Sequence, residues 1–149
     1  MEKVLSLREI TEKDWKILLE WRNDPVTRQN FYTSDSVDVE GHKKYIKTTI
    51  TDPTRSQFIL EYNGDPVGTI REDQCGNEEF KLSYTVDPLC RGKKIGQIMM
   101  SIYLLDRWGS FLCEVKCENI PSIRMIKSMG FKFIGNTGAV ALYKLDKVL

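Results

Sequence analysis

The sequence is poor in the residues that build metal centres and disulfide frameworks. It has one histidine and four cysteines among 149 residues. Cys113 and Cys117 fall in a run that reads as a strand, where a spacing of ~3.3 Å per residue would hold them about 13 Å apart, too far for a disulfide. We therefore expect reduced thiols and no metal site.

Long apolar runs and an excess of one charge are also missing. No segment approaches the roughly 20 apolar residues that cross a bilayer, and the first residues lack the apolar core of a signal peptide. The net charge of +1 gives no general attraction to nucleic acid or to anionic membranes. We predict one cytoplasmic domain, 1–149, monomeric or homodimeric, whose partner is a small molecule.

The most informative segment present is residues 84–96, where a β-rich run and a turn lead through a cationic loop into a helix. N–H groups at a helix N-terminus are unpaired and carry the positive end of the dipole, so they bind phosphate oxygens. Gly92 and Gly96 let the backbone approach a ligand, and nearby positive charge comes from Arg91, Lys93 and Lys94. The loop predicts a diphosphate site; a solvated basic turn is the alternative.

The order of elements indicates the fold class. Hydrophobic spacing predicts a helix from Thr11 to Asn23, one over 39–50, and two more that begin near Ile95 and Pro121. Strands are predicted at 4–10, 57–62, 67–71, 80–86, 111–117, 132–134 and 140–145. The order β-α-α-β-β-β-α-β-α-β-β predicts an α/β (α+β) fold, with a mixed, mostly antiparallel seven-stranded sheet and four helices on both faces.

Two motifs resemble those of a known family. Residues 91–96 read Arg-Gly-Lys-Lys-Ile-Gly, and Glu-Asn-Ile-Pro-Ser at 118–122 precedes Met-Gly-Phe at 129–131. The first is similar to the acetyl-CoA signature Gln/Arg-x-x-Gly-x-Gly/Ala of the GNAT N-acetyltransferases, and the second to their Asn-x-x-Ser…Gly-Phe block. Arg91 and Gly96 match, but Lys94 stands at the first glycine. We expect Lys94 either to have an ordinary negative φ or to contact phosphate.

The resemblance covers essentially the whole chain and implies acetyl-CoA (coenzyme A) as co-substrate, between the strands at 80–86 and 111–117. It implies that the Val86 N–H stabilises the oxyanion and that Asn119 binds the pantetheine arm. Alternatively, Asn119 is a turn residue and Ser122 a helix cap. The implied cofactor-binding residues are Thr85, Val86, Arg91, Gly92, Lys93, Lys94, Ile95, Gly96, Asn119 and Ser122.

The usual catalytic acid of the family is missing. Many members place a tyrosine seven residues after the asparagine, where this chain has Ile126 on a core-like helix stripe. The acid stays unassigned. Candidates for catalysis are Tyr84, which is equally a core residue, and Glu79, which would act through water from the start of its strand. His42 is either a base near the acceptor or a surface residue. Ser83 and Glu78 are weaker candidates.

The acceptor region is indicated by Trp-Arg-Asn at 21–23. This sequence resembles acetyltransferases of ribosomal-protein N-termini and those of nucleotide-linked amino-sugars, and Glu40-x-His42 fits the latter. For a nucleotide-linked sugar we expect phosphate contacts from Arg22 or Arg28, a flat face from Trp21 or Phe31, and polar contacts from Asn23. Alternatively, Trp21 is core and Arg22-Asn23 only ends the helix.

The predicted function is acetyl-CoA-dependent N-acetylation of a primary amine on a nucleotide-activated amino-sugar. The alternatives are acetylation of a protein or peptide N-terminus, and a module that binds acyl-CoA without turnover.

Overall fold

The N-terminal part of the chain forms one strand and three helices. The structure is a computed structural model that describes residues 4–30 and 35–148. Strand β1 (Leu5–Glu9) leads through a capping box at Thr11 and Asp14 into helix α1 (Trp15–Asn23). A short helix α2 (Pro25–Gln29) follows, and helix α3 (Val39–Thr51) begins after Asp38, whose carboxylate accepts from Gly41 N at 2.7 Å.

Three antiparallel strands come next. They are β2 (Arg55–Tyr62), β3 (Asp65–Gly76) and β4 (Glu79–Val86). Asn63 and Gly64 join β2 to β3 with φ angles of 51° and 86°. Positive φ at both central residues is the type I′ geometry that matches the twist of a hairpin, and Asn-Gly is the pair that adopts it most easily. The turn predicted from the sequence is therefore confirmed.

The C-terminal part alternates helices and strands. It contains α4 (Ile95–Leu104), β5 (Gly109–Lys116), α5 (Ile120–Ser128), β6 (Lys132–Thr137) and β7 (Val140–Lys147). Pro121 lies in the first turn of α5, and Gly130 follows its end with φ 96°. Pro near the start and Gly after the end of a helix is the asymmetry that the sequence predicts.

The seven strands form one sheet in the order β1-β2-β3-β4-β5-β7-β6. Every neighbouring pair is antiparallel except β4 and β5, which run parallel. Two apolar clusters cover the two faces. The larger one packs α4 and α5 against residues such as Leu60, Ile70 and Phe111, and the smaller one packs α1 and α3 against Ile59.

This arrangement confirms the predicted fold class, with one difference. The structure has a fifth α-helix, α2, because Asp24 does two things. It ends α1, and its carboxylate caps α2 by accepting from Thr27 N at 3.0 Å, with Pro25 in the first turn. Asp-Pro reads as a helix stop, but it is equally a helix start.

The four cysteines are free thiols, and Cys113 is buried, which raises the pKa of its thiol to about 12. Within residues 4–30 and 35–148, no set of histidine, cysteine and carboxylate side chains is arranged to hold a metal ion. In the same ranges no helix combines the length and the apolar character that crossing a membrane requires.

Candidate active site

Strands β4 and β5 form a fork near the middle of the sheet. Their pairing ends at Leu82 opposite Cys113, although β4 continues to Val86 and β5 to Lys116. Beyond the last pair, the facing edges have no partner within the described sheet. An extended ligand can therefore pair with the open edge of β4 as an added strand would.

Antiparallel pairing turns the N–H group of Val86 into this fork. Asp87 N donates to Val67 O at 2.9 Å, and hydrogen-bonded pairs alternate with non-hydrogen-bonded pairs along an antiparallel ladder. Val86 lies opposite Gly68, so this pair is non-hydrogen-bonded and the Val86 N–H points away from β3. The N–H and C=O groups of Thr85 face β3. The backbone contact with the cofactor that is expected at Thr85 is therefore open to Val86 instead.

The N-terminus of α4 offers unpaired N–H groups beside the fork. The first hydrogen bond of the helix joins Ile98 N to Lys94 O at 3.1 Å, and no side chain caps this end. The N–H groups of residues 95–97 therefore lack acceptors within the part of the chain that the structure describes.

Gly96 joins this helix end to the fork. A Cβ placed on Gly96 would lie 3.6 Å from Val86 Cγ2 and 3.7 Å from Met125 Cε. The helix N-terminus, which favours an anion, and the N–H of Val86 therefore border the same opening. A ligand that carries a diphosphate and an extended chain fits this donor set.

Lys94 keeps the backbone conformation that glycine usually supplies. Its φ is 61° and its ψ is 24°, so the expectation of a negative φ at this position is wrong. Gly92 is left-handed too, with φ 79°. The conformation costs a non-glycine residue about 1–2 kcal/mol. The side chain of Lys94 is exposed, so its predicted contact with phosphate stays open to it.

Replacing Lys94 with Gly should stabilise the protein by about 0.5–1 kcal/mol, because relief of the left-handed strain exceeds the added chain entropy of glycine. Urea denaturation measures the change. Lys93→Gly is the matched control, since Lys93 is exposed but is not among the residues with positive φ. It removes the same charge without relieving strain and should destabilise. Equal effects of the two variants would contradict the interpretation.

Arg91 is held by the helices of the N-terminal part. Its Nη2 atom lies 2.5 Å from Asp24 Oδ2 and 2.9 Å from Thr27 Oγ1. The sequence predicts a phosphate contact for Arg91, and the carboxylate partner at residue 24 is a finding of the structure. Gly92, Lys93 and Lys94, the rest of the cationic loop, are exposed.

Tyr84 reaches across the fork to α5. Its hydroxyl is hydrogen-bonded to the hydroxyl of Ser122, whose N–H is capped by Asn119 Oδ1 at 3.4 Å. Asn119 is thus the cap of α5, and its NH2 group donates to no residue that the structure describes. Burial raises the pKa of Tyr84 above its usual value. The phenol therefore stays protonated at neutral pH, and either hydroxyl of the pair can be the donor.

Ile126, at the position where the family's tyrosine is expected, is fully buried. Ile126→Tyr should destabilise the protein by about 1–3 kcal/mol through overpacking and should not raise turnover. Urea denaturation and a thiol-release assay test the two parts. Ile123→Tyr is the control, because Ile123 on the same helix is only partly buried and should tolerate the ring. A faster Ile126→Tyr enzyme would show that acid supply limits the reaction.

The two carboxylates expected to relay protons lie at the start of β4, whereas the fork opens toward its end. Glu79 is seven residues before Val86 along the strand, about 23 Å at roughly 3.3 Å per residue. Its Oε2 atom lies 2.6 Å from the position of a Cβ on Gly76. Glu79 and the preceding Glu78 therefore lie far from the proposed reaction centre at Val86.

A carboxylate that sequence analysis missed lies at the fork itself. Glu114 follows Cys113, the last paired residue of β5, and Lys81 Nζ is 2.7 Å from its Oε1. Burial raises the pKa of Glu114. Because Cys113 and Val115 are buried in the larger apolar cluster, alternation turns Glu114 to the face of α1 and α3. The same alternation is visible in the sequence of residues 111–117.

Two of the expected acceptor contacts have structural roles. Trp21 is 3% exposed and packs in the smaller apolar cluster, so it cannot offer a face to a ligand. Both ends of the Asn23 amide are used, because Nδ2 donates to Val37 O at 2.9 Å and Oδ1 accepts from Val37 N at 2.7 Å. Phe31 lies outside the described residues.

The remaining acceptor residues form a cluster of positive charge. Burial lowers the pKa of Arg22, and the nearby charge of Arg28 lowers it further. Arg28 Nε and His42 Nε2 are buried and have no hydrogen-bond partner within the described residues. Burial and the charge of Arg22 also lower the pKa of His42, so its imidazole is neutral at pH 7.

Comparison with solved structures shows the fold. An acetyltransferase from Thermus thermophilus has a TM-score of 0.82 at 19% identity, over 95% of this chain and 96% of that chain. A ribosomal-protein-alanine N-acetyltransferase from Brucella melitensis has a TM-score of 0.79 at 20% identity, over 97% and 99%. A spermidine N-acetyltransferase from Vibrio cholerae, in complex with CoA and spermine, has a TM-score of 0.79 at 14% identity, over 94% and 92%.

Sequence comparison identifies the family. No curated protein matches the sequence at a significant level. The model of the acetyltransferase (GNAT) domain, however, matches residues 5–132, which include the fork, the loop at 91–96 and the start of α5. The chain therefore belongs to the GNAT family and is an N-acetyltransferase that uses acetyl-CoA as its acyl donor.

Proposed function

We propose that the protein acetylates the primary amine of an acceptor that also carries an anionic group, a nucleotide-linked amino-sugar. The supporting observation is the pair of neighbouring guanidinium groups of Arg22 and Arg28, with Arg28 Nε buried and unpartnered within the described residues. A buried N–H donor without an acceptor is unfavourable unless a ligand supplies one. Phosphate oxygens satisfy arginine well, because they accept two parallel hydrogen bonds.

The other acceptor classes fit this cluster less well. A polyamine, the substrate named for the Vibrio cholerae relative, is a polycation that two arginines would repel. A peptide N-terminus, suggested by the name of the Brucella melitensis relative, has no fixed anionic group beside its amine for the two arginines to bind. It remains the second candidate.

The proposed cofactor contacts follow the donors around the fork. The diphosphate lies at the N–H groups of residues 95–97, with Arg91, Lys93 and Lys94 supplying charge and Gly92 and Gly96 close approach. The pantetheine arm pairs with the open edge of β4 and accepts from the NH2 group of Asn119, which donates to no described residue. Ser122 acts through its hydrogen bond with Tyr84.

The proposed chemistry uses one backbone donor and two side chains. The neutral amine nitrogen bonds to the thioester carbon to form a tetrahedral oxyanion, which the N–H of Val86 stabilises. Collapse of this intermediate breaks the carbon–sulfur bond and releases CoA as a thiolate, which takes its proton from water. Tyr84 donates a hydrogen bond to the leaving sulfur. Complete proton transfer from Tyr84 is uphill, because a thiol has a pKa near 8.5 and the pKa of Tyr84 is raised above that of an ordinary phenol.

The amine must lose a proton before or during attack. Two groups on the acceptor face can take it: Glu114, whose pKa is raised by burial, and the neutral imidazole of His42. The ion pair with Lys81 favours the ionised form of the Glu114 carboxyl, which is the form that a general base needs. We propose Glu114 as the first candidate because it lies at the fork.

A thiol-release assay with a panel of acceptors tests the proposal. The panel contains nucleotide-linked amino-sugars, the same sugars without the nucleotide, peptides with free N-termini, and polyamines. We expect release with the nucleotide-linked sugars and at least tenfold less with the free sugars. Faster release with peptides or polyamines would overturn the acceptor class, and tight CoA binding without release would indicate a binding module.

A cytoplasmic location, a single domain over 1–149 and a monomer or homodimer remain predictions. The four free thiols are consistent with a reducing compartment.

A further inference from the structure

Helix α2 is fastened at both ends to the two arms of the fork. At its start Arg91, in the loop after β4, donates to Asp24 Oδ2 at 2.5 Å and to Thr27 Oγ1 at 2.9 Å. At its end Lys116, the last residue of β5, donates from Nζ to the carbonyl of Gln29. Since β4 and β5 have separated at this level, α2 is a five-residue strap between the arms of the opening.

The start of the strap is a closed hydrogen-bond network. The Asp24 carboxylate accepts from Thr27 N at 3.0 Å, from Thr27 Oγ1 at 3.2 Å and from Arg91. Burial acts to raise the pKa of Asp24, but the donors from Arg91 and Thr27 outweigh it and lower the pKa below its usual value. Asp24 is therefore ionised at neutral pH and is a strong competitor for the guanidinium.

The strap also carries an acceptor residue. Arg28 lies within α2, between the two fastened ends. Its charge lowers the pKa of Arg22 on α1. Arg28 thus directly follows Thr27, which Arg91 contacts, on the same short helix.

We propose that Asp24 is a positioning residue that couples the two substrate sites, because its carboxylate and the diphosphate of the cofactor compete for the Arg91 guanidinium. Cofactor binding then draws Arg91 from Asp24 and frees the start of the strap. Linkage is reciprocal, so each substrate changes the affinity of the other by the same factor. This inference rests on the proposed placement of the diphosphate at residues 91–96.

The test is a double-mutant cycle read out by CoA affinity, measured by calorimetry. Asp24→Asn removes the charge but keeps a good helix cap. It should tighten CoA binding about 2- to 5-fold, the range of a partly exposed ion pair. In the Arg91→Gln background the same substitution should have no effect, because the shared guanidinium is gone. Pantetheine, which lacks the diphosphate, should bind both Asp24 forms equally.

The outcomes separate this inference from the assignment on which it rests. If Arg91→Gln leaves CoA affinity unchanged, Arg91 does not contact the diphosphate, and both that contact and the competition fail. If Arg91→Gln weakens CoA binding but Asp24→Asn weakens it or has no effect, the competition alone is overturned. If Asp24→Asn tightens CoA binding in the Arg91→Gln background as well, the cause is the loss of a nearby negative charge and not competition for Arg91. This result would also overturn the competition. Lys116→Gln loosens the other end of the strap and should not tighten CoA binding.

Discussion

Val86→Pro should lower kcat about 10²- to 10³-fold, the loss that follows removal of one oxyanion donor. Proline has no N–H, and the N–H of Val86 is the group that antiparallel pairing directs into the fork. Because this N–H makes no bond to β3, its loss leaves the ladder intact. The residue before a proline prefers extended backbone, and Thr85 is already extended within β4.

The adjacent position provides the matched control. Thr85→Pro removes an N–H that the register assigns to β3, so it should lower the unfolding temperature, whereas Val86→Pro should change it little. An ester in place of the amide at Val86 removes the same donor without a ring. Turnover close to the wild-type rate in both Val86 variants would remove this N–H from the mechanism.

Prediction from sequence succeeded where short-range signals act alone. The Asn63-Gly64 turn and the Pro121 to Gly130 helix are set by backbone preferences of single residues. The turn at 91–94 and the helix that follows it are predicted as well, because glycines before a run of helical hydrophobic spacing have a local physical meaning; the diphosphate site there stays a prediction. The left-handed conformation of Lys94 is not predicted from the sequence. The surrounding turn imposes a positive φ there, against the preference of a lysine.

Local patterns leave a residue's role open where its partner is distant in sequence, and for Trp21 and Asn23 the structure favours the structural alternative that the sequence also allows. Trp21 and Asn23 have the chemistry of ligand contacts, but one is buried in a cluster and the other is bonded to Val37. The contact between Asp24 and Arg91 joins residues 67 positions apart, and no local pattern encodes it. Glu114 is different, because the alternation of residues 111–117 predicts which face of the sheet it lies on. The sequence does not predict the point at which β4 and β5 separate.

Arg28→Gln should reduce kcat/KM for a nucleotide-linked amino-sugar about 10- to 150-fold, while the unfolding temperature stays equal or rises. The loss corresponds to about 1.5–3 kcal/mol for hydrogen bonds to a charged group. The stability gain has a separate cause: Arg28 Nε is buried without a partner in the described residues, so its removal relieves an uncompensated desolvation. Activity and stability should thus move in opposite directions, as expected of a binding residue held in an unfavourable environment.

Two controls make this prediction specific. Lys44→Gln removes the same charge from an exposed position on α3 and should leave both quantities unchanged. The free amino-sugar, which has no phosphate, should react equally slowly with wild type and Arg28→Gln, because the lost interaction is with the phosphate. Arg28→Lys restores charge without the planar fork and should recover only part of the activity. If Arg28→Gln lowers stability and affects every acceptor alike, Arg28 is structural and the acceptor is not selected by its anionic group.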